Sequence, residues 1–207
     1  MQLIADCSDG FNEGVTKTGL YLIKPKAASH PFEVKCVMNM TGQTVIQWHH
    51  NSSFRFNKTW AEFRTGFGNR DGDHWIGNEK LFWLTQSRNF SLMITIKPRG
   101  GGIRNFNVSK FIVLSENSSF AIRVYDAPGS QSCLSQYNGT QFTTFDRVNS
   151  ANCAAINGSG WWYNSTCSDC NLNGRLYREN ATIIGPAIWN PENDKILQTE
   201  MTLVETT

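Results

Sequence analysis

The sequence lacks any long apolar segment. Its tightest apolar cluster is FIVL at 111–114, whereas a membrane-spanning helix needs roughly 18 to 20 such residues. It also lacks a surplus of one charge, because 19 basic and 17 acidic residues leave a net charge of +2. No stretch gathers the basic residues into a stripe that would neutralise phosphates. These absences argue against a membrane span and against a nucleic-acid partner.

Catalytic motifs and a leader are missing as well. The sequence has no Gly-x-Ser-x-Gly elbow and no His-Glu-x-x-His motif, so it gives no support for an enzyme. Residues 1–6 have neither the basic start nor the apolar stretch of a secretory signal. We therefore expect that further sequence precedes Met1.

Cysteine and asparagine indicate the cellular compartment. Six cysteines at wide spacings are typical of an oxidised, extracellular protein, and by themselves they allow about 15 pairings. Sites of the form Asn-x-Ser/Thr occur ten times, although the Asn, Ser and Thr content predicts only about 3 by chance. The excess predicts a secreted glycoprotein. The candidate glycan acceptors are Asn39, Asn51, Asn57, Asn89, Asn107, Asn117, Asn138, Asn157, Asn164 and Asn180.

The periodicity of apolar residues predicts antiparallel strands. Alternating or β-rich runs lie at 33–48, 90–96 and 110–125, and the first and last are interrupted by polar turns typical of hairpins. Helical spacing appears at 59–67, where a threonine is a suitable N-cap and glycines follow. Beyond about residue 126 the periodicity fades into Gly, Ser, Asn and aromatic residues. The pattern predicts an α+β protein with a loop-rich C-terminal lobe.

Several short motifs, taken in order, resemble one family. They are WAEF and GFG at 60–68, WIGNE at 75–79, FTTFDR at 142–147, GWWYN at 160–164 and NLNG at 171–174. Together they resemble the fibrinogen C-terminal (fibrinogen-related) domain. The resemblance implies a single α+β domain at 6–204 with a central antiparallel sheet and short helices. Its expected sub-regions are an N-terminal disulfide region at 6–48, a central sheet at 49–126 and a C-terminal binding lobe at 127–204.

The resemblance also implies the disulfides. It pairs Cys7 with Cys36 and Cys153 with Cys167, and the two remaining cysteines, Cys133 and Cys170, are then expected to form a third disulfide. The alternative is that Cys167 and Cys170, which form a CxxC sequence, are a redox pair or half of a zinc site. Zinc wants four ligands, and no second CxxC or pair of histidines lies nearby. The sequence therefore favours disulfides, and it leaves open whether Cys133–Cys170 forms within one chain.

The family's calcium loop is degenerate in this sequence. Calcium takes six to eight oxygen ligands with carboxylates among them, and similar domains supply these from an Asp-rich loop. The matching positions hold Val148 and Ser150, and the loop is about three residues shorter than is usual in similar domains. Asp146 is retained, but it is not a principal ligand in the family. We expect no metal and no other cofactor.

The family's ligand pocket is altered too. In ficolin-like and tachylectin-like members, acetyl groups lie beside the second disulfide against aromatic residues and a histidine. The histidine position is Ser168, and the aromatic positions fall near Asn157 and near Ile183 or Ile184. Stacking on those rings is lost, so the sequence argues against acetyl recognition of that kind. The candidate pocket residues are Asn152, Cys153, Asn157, Ser168, Asn171, Ile183 and Ile184.

Two functions remain open. The first is a secreted lectin-like module of innate defence that recognises carbohydrate or a microbial surface through the C-terminal lobe. The alternative is a calcium-independent, protein-binding module that docks onto a cell-surface receptor or matrix protein, as the resemblance to angiopoietin-like or tenascin-like members implies. The first is expected from the breadth of the family. In either case upstream segments are expected to oligomerise the domain, which would raise weak binding by avidity.

Overall fold

The computed structural model describes residues 3–39, 41–126, 132–148, 151–167, 170–179, 185–189 and 195–206. Its helices are α1 (Cys7–Asn12), α2 (Trp60–Thr65), α3 (Asn78–Ser87) and α4 (Cys153–Asn157). Two 3₁₀ turns lie at Glu116–Ser118 and Cys133–Tyr137. The strands are β1 (Gly19–Ile23), β2 (Phe32–Val37), β3 (Gln43–His49), β4 (Phe67–Gly68), β5 (His74–Trp75), β6 (Phe90–Pro98), β7 (Arg104–Val108), β8 (Lys110–Val113), β9 (Ile122–Tyr125), β10 (Cys170–Asn171), β11 (Ile188–Trp189) and β12 (Ile196–Glu205).

An eight-stranded antiparallel sheet forms the centre of the fold. Its main order is β1-β2-β3-β12-β6-β7, and β5 pairs with both β3 and β4. The predicted α+β fold with an antiparallel sheet is confirmed, and so is the β2–β3 hairpin. The predicted hairpin at 110–125 forms as β8–β9, but it is a separate two-stranded sheet.

The last strand occupies the middle of the sheet. Strand β12 pairs with β3 on one side and with β6 on the other. Each of the expected sub-regions 6–48, 49–126 and 127–204 of the single domain contributes strands to this sheet. Because β12 is hydrogen-bonded between two earlier strands, the end of the C-terminal lobe is part of the central sheet.

Helix α2 follows from its local sequence. Thr59 accepts from the backbone N–H of Glu62 while the Glu62 carboxylate accepts from the backbone N–H of Thr59, so both residues of a capping box are present. The helix ends at Gly66, whose φ is 92°. A Cβ there would lie 2.3 Å from the carbonyl oxygen of Ile76, so only glycine fits. The predicted helix is confirmed.

Aromatic rings connect the sheet to the C-terminal lobe. Phe63 of α2 packs with Phe142 at a centroid distance of 5.0 Å, and Phe142 packs with Trp162 at 5.1 Å. Trp75 of β5 lies 6.0 Å from Trp162. All four side chains are buried. This cluster buries the large apolar area on which the lobe depends for stability.

Three disulfides and the ion pairs of one arginine link segments that are distant in sequence. The disulfides join Cys7 to Cys36, Cys133 to Cys170 and Cys153 to Cys167, all within one polypeptide. Arg88, at the end of α3, forms ion pairs with Asp6, Asp9 and Glu205, which joins α1 to the end of β12. Among the described residues, no helix is long and apolar enough to cross a membrane.

Candidate binding site in the C-terminal lobe

The candidate pocket centres on α4 and the Cys153–Cys167 disulfide. Asn152 precedes the helix with φ 53° and ψ 31°, a left-handed conformation that asparagine tolerates better than most residues. It is exposed, whereas Cys153 is fully buried. The helix turns Cys153, Ala154 and Asn157 inward and leaves Ala155 and Ile156 in solvent, as a 3.6-residue period requires.

Asn157 is a structural residue in this lobe. Its side chain is 7 % exposed, and its Nδ2 donates to the carbonyl oxygen of Cys153 at 3.2 Å and to that of Cys167 at 2.9 Å. One amide group therefore bridges the backbone of both cysteines of the disulfide. A glycan would be attached through the same nitrogen, which already donates to two carbonyl oxygens. We therefore expect no glycan at Asn157, contrary to the prediction from its Asn-x-Ser pattern.

Asn171 lies in a second buried network. Its Nδ2 donates to Ser159 Oγ at 3.0 Å, and Ser159 Oγ is 2.9 Å from the Tyr163 hydroxyl. Burial raises the pKa of the Tyr163 phenol far above its ordinary value, so the ring stays neutral. Asn171 thus supports the lobe from inside. The remaining predicted pocket residues, Ser168, Ile183 and Ile184, lie outside the described residues.

The aromatic side chains of the GWWYN motif and of Trp189 face the interior of the lobe. Trp161 and Trp162 are both fully buried, as is Trp189, and Tyr163 is 3 % exposed. The indole N–H of Trp162 donates to the carbonyl oxygen of Phe120 at 2.8 Å. Rings in these positions cannot stack on a sugar at the surface. The GWWYN motif therefore builds the core of the lobe.

Asp146, the carboxylate that is retained in the degenerate calcium loop, is engaged in hydrogen bonds within the protein. Both oxygens of Asp146 accept from the backbone N–H of Trp60, at 2.9 and 3.2 Å, and Oδ1 accepts from Thr144 Oγ1 at 2.7 Å. Asp146 thus holds the loop against the N-terminus of α2. Val148 is exposed, and Ser150 lies outside the described residues. In the described part of the protein no three Asp, Glu, His or Cys side chains cluster as a metal would need.

Three large apolar side chains of the C-terminal lobe are exposed. Phe145, Val148 and Ile156 are 43 %, 53 % and 60 % exposed, and we call them the rim residues. Val148 lies five positions before Cys153, so it is within about 18 Å of the start of α4. Sequence reasoning missed Phe145 and Ile156. In α4 the buried residues are Cys153, Ala154 and Asn157. This helical spacing was the signal that could have predicted an exposed side chain for Ile156.

The ten candidate glycan acceptors differ in exposure. Asn164 is half-buried, and Asn180 lies outside the described residues. Exposed acceptors are spread over residues 39–138, in contrast to the buried Asn157. The seven exposed acceptors are Asn39, Asn51, Asn57, Asn89, Asn107, Asn117 and Asn138.

Comparison with known proteins identifies the family. The family model described as fibrinogen beta and gamma chains, C-terminal globular domain, matches residues 3–204. This protein belongs to the fibrinogen C-terminal family. Domains of this family in angiopoietin-related proteins are binding modules and not enzymes, which agrees with the sequence-based expectation that this protein is not an enzyme.

Relatives of this fibrinogen-type domain are longer proteins. Angiopoietin-related protein 2 of Mus musculus is 34% identical over 179 residues, which is 84% of this chain and 36% of the relative. Fibrinogen-like protein 1 of Bos taurus is 33% identical over 193 residues, 84% of this chain and 62% of the relative. The sequence therefore spans only part of these curated relatives, about a third of the first.

Solved structures agree with this assignment. The fibrinogen-like globe domain of human ANGPTL2 superposes with a TM-score of 0.89 at 29% identity, covering 99% of this chain and 100% of that one. Lamprey fibrin D-dimer, complexed with the peptide Gly-His-Arg-Pro-amide, has a TM-score of 0.85 at 27% identity, covering 99% of this chain and 75% of that one. The second of these structures holds a peptide ligand.

Proposed function

We propose that this protein is a secreted, calcium-independent protein-binding module whose C-terminal lobe docks onto a cell-surface receptor or matrix protein. The observation that carries the proposal is the exposure of the rim residues Phe145, Val148 and Ile156, since no other large apolar side chain among the described residues of the lobe is exposed. Exposed apolar side chains that cluster in one region are typical of protein interfaces. The likeness to angiopoietin-related proteins supports the same interpretation.

Secretion is part of the proposal. Three disulfides favour an oxidising compartment, and the excess of Asn-x-Ser/Thr sites favours a glycosylating pathway. The peptide-bound lamprey structure is a precedent for a protein ligand on this fold. Carbohydrate recognition in defence has less support, because the rings of Trp161, Trp162, Tyr163 and Trp189 are buried and cannot stack on a sugar.

Substitution of the rim residues tests the proposal. The domain is fused to a dimeric carrier to raise avidity, and its binding to cultured cells and to deposited extracellular matrix is titrated in calcium and in EDTA. We expect Val148→Asp and Ile156→Asp to weaken binding at least tenfold, which is about 1.4 kcal/mol. Leu22→Asp and Ile103→Asp are matched controls, since both residues are exposed and apolar but lie outside the C-terminal lobe.

Two outcomes would refute the proposal. Binding that survives both rim variants but falls in the controls would place the interface elsewhere. Binding to immobilised glycans, with loss of cell binding after the cells are stripped of carbohydrate, would return the domain to the lectin-like function. The EDTA arm reports separately on calcium, since a metal-dependent interface loses affinity when the metal is removed.

A further inference from the structure

A cavity separates the end of α3 from the β8–β9 hairpin. Its volume is about 400 Å³, and it is a cleft that is widely open to solvent. Its lining includes Gln86 and Asn89 from the end of α3 and the turn after it, and Ile112, Leu114 and Arg123 from the hairpin region. Nothing in the proposed protein interface uses this cavity.

The lining combines apolar side chains with an arginine, Arg123, that has no ion-pair partner among the described residues. Ile112 and Leu114 are half-buried, so part of each side chain remains open to the cavity. Arg88 also lines it but is engaged by three carboxylates. Arg123 is exposed and forms no ion pair or side-chain hydrogen bond within the part of the protein that the structure describes. Apolar contact on one side and hydrogen-bond donors on another suit a sugar ring, which has an apolar C–H face and a polar edge.

One residue of the lining is itself a candidate glycan acceptor. Asn89 begins the sequence Asn-Phe-Ser and is exposed. Its backbone is held in place, because its carbonyl oxygen accepts from the N–H of Thr206 at 3.1 Å and the preceding Arg88 N–H donates to the Leu84 carbonyl at 3.3 Å. The first sugar of a glycan on Asn89 therefore lies next to the cavity. Because the sugar is covalently attached there, its effective concentration at the cavity is high, and it loses little further translational entropy on packing against the lining.

We propose that the first N-acetylglucosamine residues of an N-linked glycan on Asn89 pack into this cavity. Their apolar faces lie against Ile112 and Leu114, and their oxygens accept hydrogen bonds from Arg123. The glycan then links the turn after α3 to the β8–β9 hairpin as a structural component of the domain. This role distinguishes Asn89 from acceptors such as Asn107, which is exposed on the edge strand β7 and does not line the cavity.

The first test is occupancy and the contribution of the first sugar. The domain is produced in mammalian cells that make only high-mannose glycans, and occupancy at Asn89 is measured by glycopeptide mass spectrometry. One sample is treated with endoglycosidase H, which leaves one N-acetylglucosamine per site, and another with peptide-N-glycosidase F, which removes the whole glycan. We expect full removal to lower the Tm by about 2–4 °C, a shift typical of about 1 kcal/mol in a domain of this size, and endoglycosidase H to leave the Tm unchanged. An unoccupied Asn89 would overturn the proposal.

The second test is the coupling between the glycan and Arg123. Wild type, N89Q, R123A and the double variant form a thermodynamic cycle, and N107Q and R55A are matched controls that remove an exposed acceptor and an exposed arginine elsewhere. We expect R123A to lower the Tm in wild type and in N107Q but not in N89Q. R55A should change the Tm by the same amount in wild type, N107Q and N89Q. If R123A lowers the Tm equally with and without the Asn89 glycan, the cavity does not hold that glycan and the proposal fails.

Discussion

The strongest stability prediction concerns Asn157. Its Nδ2 donates to two carbonyl oxygens, those of Cys153 and Cys167, and the group is buried. Each such bond contributes about 1 kcal/mol net, and a buried carbonyl left without a donor costs about 1–3 kcal/mol. We therefore expect Asn157→Ala to lower the free energy of unfolding by about 2–4 kcal/mol, equivalent to a fall in Tm of roughly 5–15 °C.

Replacement by aspartate sharpens the test. Asn157→Asp keeps the shape of the side chain but sets carboxylate oxygens against two carbonyl oxygens, so the carboxyl group is favoured in its protonated form and its pKa rises on folding. A group whose pKa is raised on folding binds protons more tightly in the folded state, so the stability of this variant relative to the wild type at the same pH should recover as the pH falls from about 7 to about 5. The alanine variant should show no such recovery, because it has no group to titrate.

The assay is thermal unfolding of each variant at about pH 7 and about pH 5, together with glycopeptide mapping of the wild type. Asn107→Ala is the matched control, since it removes an exposed acceptor asparagine from β7. We expect it to change the Tm by less than about 2 °C. The reasoning is refuted if Asn157→Ala costs no more than the control, or if mapping finds a sugar on Asn157.

Further predictions follow from other buried or engaged groups. Burial lowers the pKa of His49 and of His74 to about 4, so both side chains are neutral in the folded protein at neutral pH. The free energy of unfolding should therefore fall by up to about 3 kcal/mol per histidine as the pH drops from about 6.5 to about 4. A smaller acid-induced loss of Tm in His49→Gln than in wild type would verify this. Asp146→Ala should lower the free energy of unfolding by about 1 kcal/mol, because the Trp60 N–H loses its acceptor. Millimolar calcium should not raise the Tm of the wild type above its value in EDTA. Gly185→Ala should cost about 2–4 kcal/mol in denaturant unfolding, because φ is 64° and a Cβ would lie 1.9 Å from a backbone carbonyl oxygen of α4.

Local signals in the sequence predict local structure well in this protein. Helix α2 is bounded by a capping box and a glycine, and its range follows from those residues. Helix α3 was not predicted, because its apolar residues at 81–84 are adjacent and give no clear helical period. The central position of β12 was not predictable from periodicity, since alternation shows that a strand exists but not which distant strands flank it.

The candidate site shows the same division. The motifs and the family resemblance directed attention to the region around the Cys153–Cys167 disulfide, and the protein is a member of that family. They did not reveal which side chains there reach solvent. Asn157 and Asn171 are buried supports, whereas Phe145 and Ile156 are exposed. Burial depends on packing from α2 and from strands distant in sequence, so residue type alone could not assign it.

Acceptor asparagines illustrate why the same tripeptide pattern can have different roles. At Asn138 the side-chain Oδ1 accepts from the Val124 N–H at 3.2 Å, and this bond does not use the nitrogen that would carry a sugar. At Asn157 that nitrogen itself donates to two carbonyls, and a glycosylated nitrogen has only one N–H left, so a glycan and both native hydrogen bonds cannot coexist. Asn89 lies beside a cavity that could receive the sugar. We therefore expect the atom that the fold engages, more than the presence of the tripeptide, to determine whether an acceptor asparagine carries a glycan.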